Sequence, residues 1–242
     1  VPSEPFDPRT STRTFRIAIS DIAPSLFPRL MARVRSEAPG VMIDWAAESP
    51  QTLLAVAEEQ MDLAFVASAL TLPEGLAHEE GGDIEWATFV RADHPAIESW
   101  GPAAWRKWPH VIVQVGNALQ SPVTTASDDA ARERPIATRV LNFSAVAPLL
   151  ARTDLIATLP MVVMHEALER YGLRAVPPPF AIAPMPHRFV WSRRLGNDAA
   201  IRWLRGLVTA CFAEVLAECR HTMNASVRAG RRSPKGGGRR RG

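Results

Sequence analysis

Short apolar runs alternate with amphipathic stretches along most of this chain, the pattern of strands covered on both faces and helices covered on one. Residues 15–19 alternate apolar and polar side chains and predict a first strand. Residues 24–38 predict a helix with Leu26, Leu30 and Val34 on one stripe and Phe27 and Met31 beside it. Pro28 fits its first turn, and Pro39-Gly40 ends it. A second strand follows at 41–45. Ser49-Pro50 then predicts a helix start, a hydroxyl N-cap before proline at the first helical position. Leu53, Leu54, Val56 and Ala57 give that helix its buried face. Residues 62–66 predict a third strand and 84–91 a fourth.

After His94-Pro95 the texture changes to a stretch holding Trp100, Trp105 and Trp108, and a second strand–helix series begins. Strands are expected at 111–115, 136–141 and 155–158, with helices from Ser144 and over 160–170. Pro177-Pro178-Pro179 precedes a strand at 188–191 and a final helix from Asp198 to about Glu218. No internal repeat is evident. Strand–helix alternation implies an α/β fold with mostly parallel sheet and flanking helices. The change near Arg91 and the proline run suggest two lobes. Residues 1–13, rich in Pro, Ser, Thr and Arg, look like a linker remnant.

With 242 residues, 47% of them apolar, the chain can build a sizeable core without disulfides or metal. No apolar run approaches the ~20 residues of a membrane-spanning helix, and Val1-Pro2-Ser3-Glu4-Pro5 has no export-signal pattern. Cys211 and Cys219, the two cysteines, lie eight residues apart on one expected helix. That is about 12 Å of rise, too far for a mutual disulfide. Packing cysteines in a reducing compartment are the expectation, and with them a cytoplasmic location. The net charge of +3 hides a division. Arg220, Arg228, Arg231, Arg232, Lys235, Arg239, Arg240 and Arg241 carry the last 23 residues, without an acid. Removing those eight charges leaves the first 219 residues at −5. Such a body repels a phosphate backbone, so the folded part is not expected to bind nucleic acid. Residues 219–242 are expected to be a basic disordered tail: a solubilising segment, an added sequence or a weak polyanion contact.

Enzyme chemistry finds no foothold. The six histidines fall in no metal-ligand spacing, and His165-Glu166 lacks a second histidine four residues after the first. Gly116 and Gly172 stand outside any phosphate-cradling pattern. Neither a cofactor nor a metal is expected. Ligand binding does better, because ligands of α/β sheets sit beyond the carboxyl ends of strands, beside free helix N–H groups. Between two lobes the default pocket is the cleft they share. Ser20 and Asp21 follow the first strand, Ser49 and Gln51 open the helix after the second, and Ala67 and Ser68 follow the third. Gly116 and Asn117, Phe143, and Thr158 with Pro160 occupy the corresponding places in the second series. Each has a plainer alternative: Ser20 and Ser49 as helix caps, Asn117 as a turn residue, Phe143 as a core aromatic.

A series of phrases in fixed order adds to this reading. They are Phe15-Arg16-Ile17-Ala18-Ile19-Ser20-Asp21, Asp62-Leu63-Ala64-Phe65, Arg91-Ala92-Asp93-His94-Pro95 and Thr153-Asp154-Leu155-Ile156-Ala157-Thr158-Leu159-Pro160. Trp191-Ser192-Arg193-Arg194 and Arg202-Trp203-Leu204-Arg205 follow. From residue 15 to 211 the chain resembles the effector-binding domain of LysR-type transcriptional regulators, without their winged helix-turn-helix. The resemblance implies the type 2 periplasmic-binding-protein fold. One lobe would hold residues 14–90 and 188–218 and the other 91–187, with crossings near 89–94 and 185–188. It also implies a small organic effector in the interlobe cleft, with Thr158 before the Leu-Pro step lining it. A homodimer is implied, through helix 24–38 and the face of 160–170, and possibly a tetramer in a full-length regulator. DNA would be contacted only through the N-terminal domain. Two positions depart from the family pattern: Met161-Val162-Val163 follows Pro160 where many relatives carry arginine, and Ser192 stands where histidine is common. The other reading of the same fold is a solute-binding protein of a transport system.

Overall fold

The computed structural model describes residues 6–22, 24–114, 123 and 134–231, with side chains described as far as residue 225. The first sheet takes strands from both ends of the chain: β1 (Thr14–Ala18), β2 (Met42–Ala46), β3 (Leu63–Ala67), β4 (Leu76–Ile84) and β10 (Met185–Ser192). Their order is β2-β1-β3-β10-β4, with β1 parallel to β2 and β3, and β10 antiparallel to β3 and β4. The second lobe uses β5 (Trp86–Arg91), β6 (His110–Val113), β7 (Ile136–Val140), β8 (Ala157–Pro160) and β9 (Leu173–Val176). β6 and β7 pair in parallel, while β5 pairs antiparallel with both β8 and β9. A parallel bridge from His110 to Ile156 joins the two sets, reinforced by Val111 N–H to Ile156 O at 3.0 Å. The second order is therefore β7-β6-β8-β5-β9, the first lobe's order position for position. In each lobe the antiparallel member is the strand by which the chain arrives from the other.

Helix α1 (Leu26–Glu37) buries Leu26, Leu30 and Val34, the stripe read from the sequence. Pro28 sits in its first turn, where its missing N–H has no partner to lose. Helix α2 (Thr52–Ala57) starts later than Ser49-Pro50 predicts. Its Thr52 hydroxyl, 4% exposed, accepts from the Ser49 N–H at 2.8 Å, so Thr52 fastens the turn and Ser49 does not cap it. Beyond them lie α3 (Pro102–Lys107), α4 (Val146–Leu150), α5 (Met161–Met164) and α6 (Ala167–Arg170). The expected helix over 160–170 is thus broken after Met164.

Three further expectations need correcting. The chain enters the second sheet at Trp86, immediately after β4, and not within 89–94. Residues 6–13, expected as linker, fold onto the first lobe. Phe6 packs tilted against Trp203 at 5.4 Å and edge-on against Phe15 at 6.3 Å, and Arg13 pairs with Asp62 and Asp198. The last helix, α7 (Ala199–Arg231), continues well past Glu218. Its apolar stripe continues with it: Val208, Cys211, Phe212, Val215, Leu216 and Cys219 are buried and Met223 packs beside them. Cys219 belongs to the core, not to a tail, and both cysteines are free thiols. Asp198 caps this helix, accepting from Ala200 and Ile201 N–H at 2.8 and 3.0 Å. Burial opposes the Asp198 charge, but the bonds from Ile201, Arg13 and Ala200 outweigh it and hold the carboxyl below its ordinary value.

One apolar cluster runs through both lobes, from Phe15, Ile17 and Leu63 through Phe212 to Met161, Leu159 and Phe143. Helix α7 supplies the seam, packing on α1 and β4 of the first lobe and on α5 and β9 of the second. The lobes are consequently fastened at the back, and any relative movement pivots there.

Candidate interlobe effector site

β1, β2 and β3 are parallel neighbours, so their carboxyl ends share one edge of the first sheet. Ser20 and Asp21 leave that edge after β1, Ser49 and Gln51 after β2, and Ala67 and Ser68 at and after β3. Ser20 and Ala67 are half-buried; Asp21, Ser49 and Gln51 are exposed. Ser68 is tied down at both ends, its N–H to Pro186 O at 2.8 Å and its hydroxyl to Glu80 at 3.3 Å. The floor between these loops is fixed by Trp45, whose indole N–H donates to Ile19 O at 3.1 Å while Phe27 packs edge-on against its ring.

Across the cleft, Phe143 opens a 3₁₀ turn over Phe143–Ala145 that runs into α4. Asp21 reaches it directly. Its Oδ2 accepts from the Phe143 N–H at 2.8 Å and from the Ser144 N–H at 3.4 Å. A carboxylate of the first lobe thus occupies paired backbone donors of the second, the position where free N–H groups at a turn favour negative charge. The Phe143 ring is 6% exposed and belongs to the common core.

Thr158 is 8% exposed and its hydroxyl is engaged inside the second lobe. It accepts from the Trp105 indole N–H at 3.0 Å and shares a bond of 2.9 Å with the Thr88 hydroxyl on β5. Trp105 in turn meets Phe180 and His110 edge-on. The three tryptophans that mark the sequence here gather in this second-lobe cluster with Trp86, Val90 and Ile156. Pro160, also buried, stands as the N-cap of α5. Gly116 and Asn117 lie outside the described residues.

Sequence reasoning passed over one acid at this edge. Glu48 lies between β2 and α2, half-buried, and burial pushes its carboxyl above the ordinary glutamate value. The signal was available, since Glu48 directly precedes Ser49 at a strand's carboxyl end. Ser192, the departure from the family pattern, is 2% exposed and bonds Glu59 at 3.3 Å, away from this edge. A cavity of about 10 Å³ lies at the back of the molecule between Glu85, Met161, Val162, Leu216 and Cys219. It holds one water at most and is no place for an organic guest.

Comparison with known proteins fits this geometry. The family model of the LysR substrate binding domain matches residues 8–212. The transcriptional activator NahR of Pseudomonas putida is 31% identical over 214 residues, covering 87% of this chain and 71% of NahR. NagR of a Ralstonia species, likewise a transcriptional activator, is 30% identical over 217 residues, 86% of this chain and 70% of NagR. Among solved structures, the regulatory domain of MexT, a transcriptional activator in Pseudomonas aeruginosa, superposes with a TM-score of 0.66 at 26% identity, over 84% of this chain and 99% of that one. A transcriptional regulator from Vibrio parahaemolyticus shares the fold with a TM-score of 0.74, at 23% identity over 86% of this chain and 99% of its own. These relatives are regulators of transcription, not enzymes, and they favour regulation over the transport reading of the same fold. With its two matching lobes and the family model spanning most of it, the chain belongs to the LysR substrate-binding domain family.

Proposed function

We propose that the chain senses a small organic effector in the cleft edged by Ser20, Asp21, Glu48, Ser49, Gln51, Ala67, Ser68 and the turn at Phe143. The carrying observation is the Asp21 carboxylate on the Phe143 and Ser144 amides, which joins the lobes across the place where a guest would lie. A guest bearing its own carboxylate competes for those amides, and one with a hydroxyl or amine finds Glu48 opposite. Either exchanges an internal contact for a ligand contact and favours one lobe arrangement over others. Thr158 acts from beneath, holding Trp105 and Thr88 in place, and Pro160 sets the direction of α5.

In a complete regulator this bias would alter subunit packing and so the geometry of bound DNA. DNA contact would belong to a helix-turn-helix region outside these 242 residues, and the setting would be the cytoplasm. The domain would pair with a second copy through α1 of one subunit and the α5–α6 face of the other. Sedimentation at micromolar concentration is expected to give a dimer.

The site is tested by thermal shift against a panel of small organic acids, amines and neutral aromatics. Hits are then repeated on Ser20→Ala and Asp21→Asn. A stabilisation that survives both substitutions unchanged would place the guest elsewhere.

A further inference from the structure

A group of side chains on the far side of the molecule has no part in effector binding. At the break between α5 and α6, His165 projects from the second lobe toward α7. Its side chain is 6% exposed, and Nε2 is buried with no hydrogen-bond partner among the described residues. That atom lies 3.7 Å from a Glu218 oxygen on α7 and 3.9 Å from a Glu166 oxygen beside it. Such distances are too long for hydrogen bonds. A buried imidazole nitrogen left without a partner is destabilising, so the arrangement calls for an occupant.

The spacing matches a metal better than a proton. A tetrahedral cation with bonds of about 2.0–2.1 Å sets its ligand atoms roughly 3.4 Å apart. The three ligand atoms here lie within 4.8 Å of one another, and two of the three separations need to close by only a few tenths of an ångström. The acids can make that adjustment, because Glu166 and Glu218 are 60% and 49% exposed while the imidazole is held by the core. We propose that His165 Nε2, Glu166 and Glu218 form a binding site for a divalent transition cation of the zinc type, with water completing the shell. One nitrogen and two carboxylates suit zinc or cobalt better than magnesium or calcium, which take oxygen alone.

Arg29 currently stands in for the cation. It holds Glu218 by two bonds of 2.8 Å and approaches Glu166 at 4.0 Å and Glu214 at 3.5 Å. Metal entry transfers Arg29 from Glu218 to Glu214, a carboxylate already within reach. Because His165 and Glu166 belong to the second lobe and Glu218 to α7, the seam shared by both lobes, the bound ion reinforces that seam behind the cleft.

The test is calorimetric titration of zinc chloride into the 242-residue chain, repeated with cobalt followed by absorption. One zinc per chain is expected, with the cobalt spectrum of a nitrogen–oxygen tetrahedral site. Glu166→Gln, at an exposed position that leaves the core untouched, weakens binding at least about tenfold, and His165→Gln abolishes it. Arg29→Gln tightens binding, since it removes the competing cation. The buried Cys219 neighbours Glu218, so Cys219→Ser is the control and binds as the parent does. Absence of saturable zinc binding overturns the proposal. So does binding indifferent to Glu166→Gln, binding lost in Cys219→Ser, or a cobalt–thiolate absorption band.

Discussion

Thr158, expected from sequence to line the cleft, has its hydroxyl engaged inside the second lobe instead. Its place at the end of an apolar run, two residues before Pro160, is readable; that its hydroxyl would be taken by Trp105 and Thr88 is not, because those partners lie 53 and 70 residues away. Thr158→Val keeps the shape but leaves a buried indole N–H without an acceptor, so a loss of about 1–3 kcal/mol in urea unfolding is expected. A neutral result would mean the tryptophan finds another acceptor. His110 makes a second residue-scale prediction. Burial pulls its imidazole down to about 4, against the bond it donates to Trp105 O at 2.9 Å, with Arg134 adding to the fall. The folded chain therefore binds this proton less readily than the unfolded one, whose value is near 6.5. The resulting stability is complete above about pH 6.5 and is lost as pH falls toward 4, by roughly 3 kcal/mol at most. Burial lowers His187 as well, so part of the slope remains when His110 is replaced. Urea midpoints between pH 7 and 4.5 should fall less steeply in His110→Gln than in the parent; parallel slopes would assign the acid loss to other groups.

At the level of elements, legibility followed burial. β3 is buried along nearly its whole length and reads as an apolar run, β1 alternates with Arg16 exposed, and α1 shows its stripe because one face is wet. β4 escaped notice because it is a sheet edge. Its sequence, Leu-Ala-His-Glu-Glu-Gly-Gly-Asp-Ile, has the charges and glycines with which edges resist further pairing, and no apolar alternation. Those glycines have a packing reason. A Cβ on Gly81 would lie 2.9 Å from a Phe65 ring carbon and 3.2 Å from the His187 carbonyl oxygen, beside the register shift between His187 and Arg188. Gly81→Ala is expected to cost about 1–3 kcal/mol by overpacking, read as a lower unfolding midpoint. Unchanged stability would show that the edge can move outward freely. β9 was missed for a different reason: four residues between Gly172 and Pro177 are too few to display a period. The end of α7 is hard to place from sequence because basic residues surround Cys219 and Met223, which continue the buried stripe.

The whole molecule repeats one plan twice, and that repetition was invisible in the sequence because nothing in side-chain identity preserves strand order. What the two matching sheets and the seam along α7 create is a body closed at the back and latched at the front by Asp21 alone among the described side-chain bonds at the cleft. If that latch holds the lobes, Asp21→Ala should widen the range of cleft openings without unfolding either half. Spin labels at Leu54 in the first lobe and Leu141 in the second, 54% and 77% exposed, can report the distance. The native thiols need no removal, since Cys211 is fully buried and burial pushes Cys219 up to about 12, far above any labelling pH. The parent chain should give a narrower distance distribution than Asp21→Ala, and a bound acid effector should narrow the variant's again by supplying the carboxylate it lacks. Equal widths in both proteins would mean that the apolar seam alone sets the lobe angle, and that an effector must act through contacts other than the Phe143 and Ser144 amides.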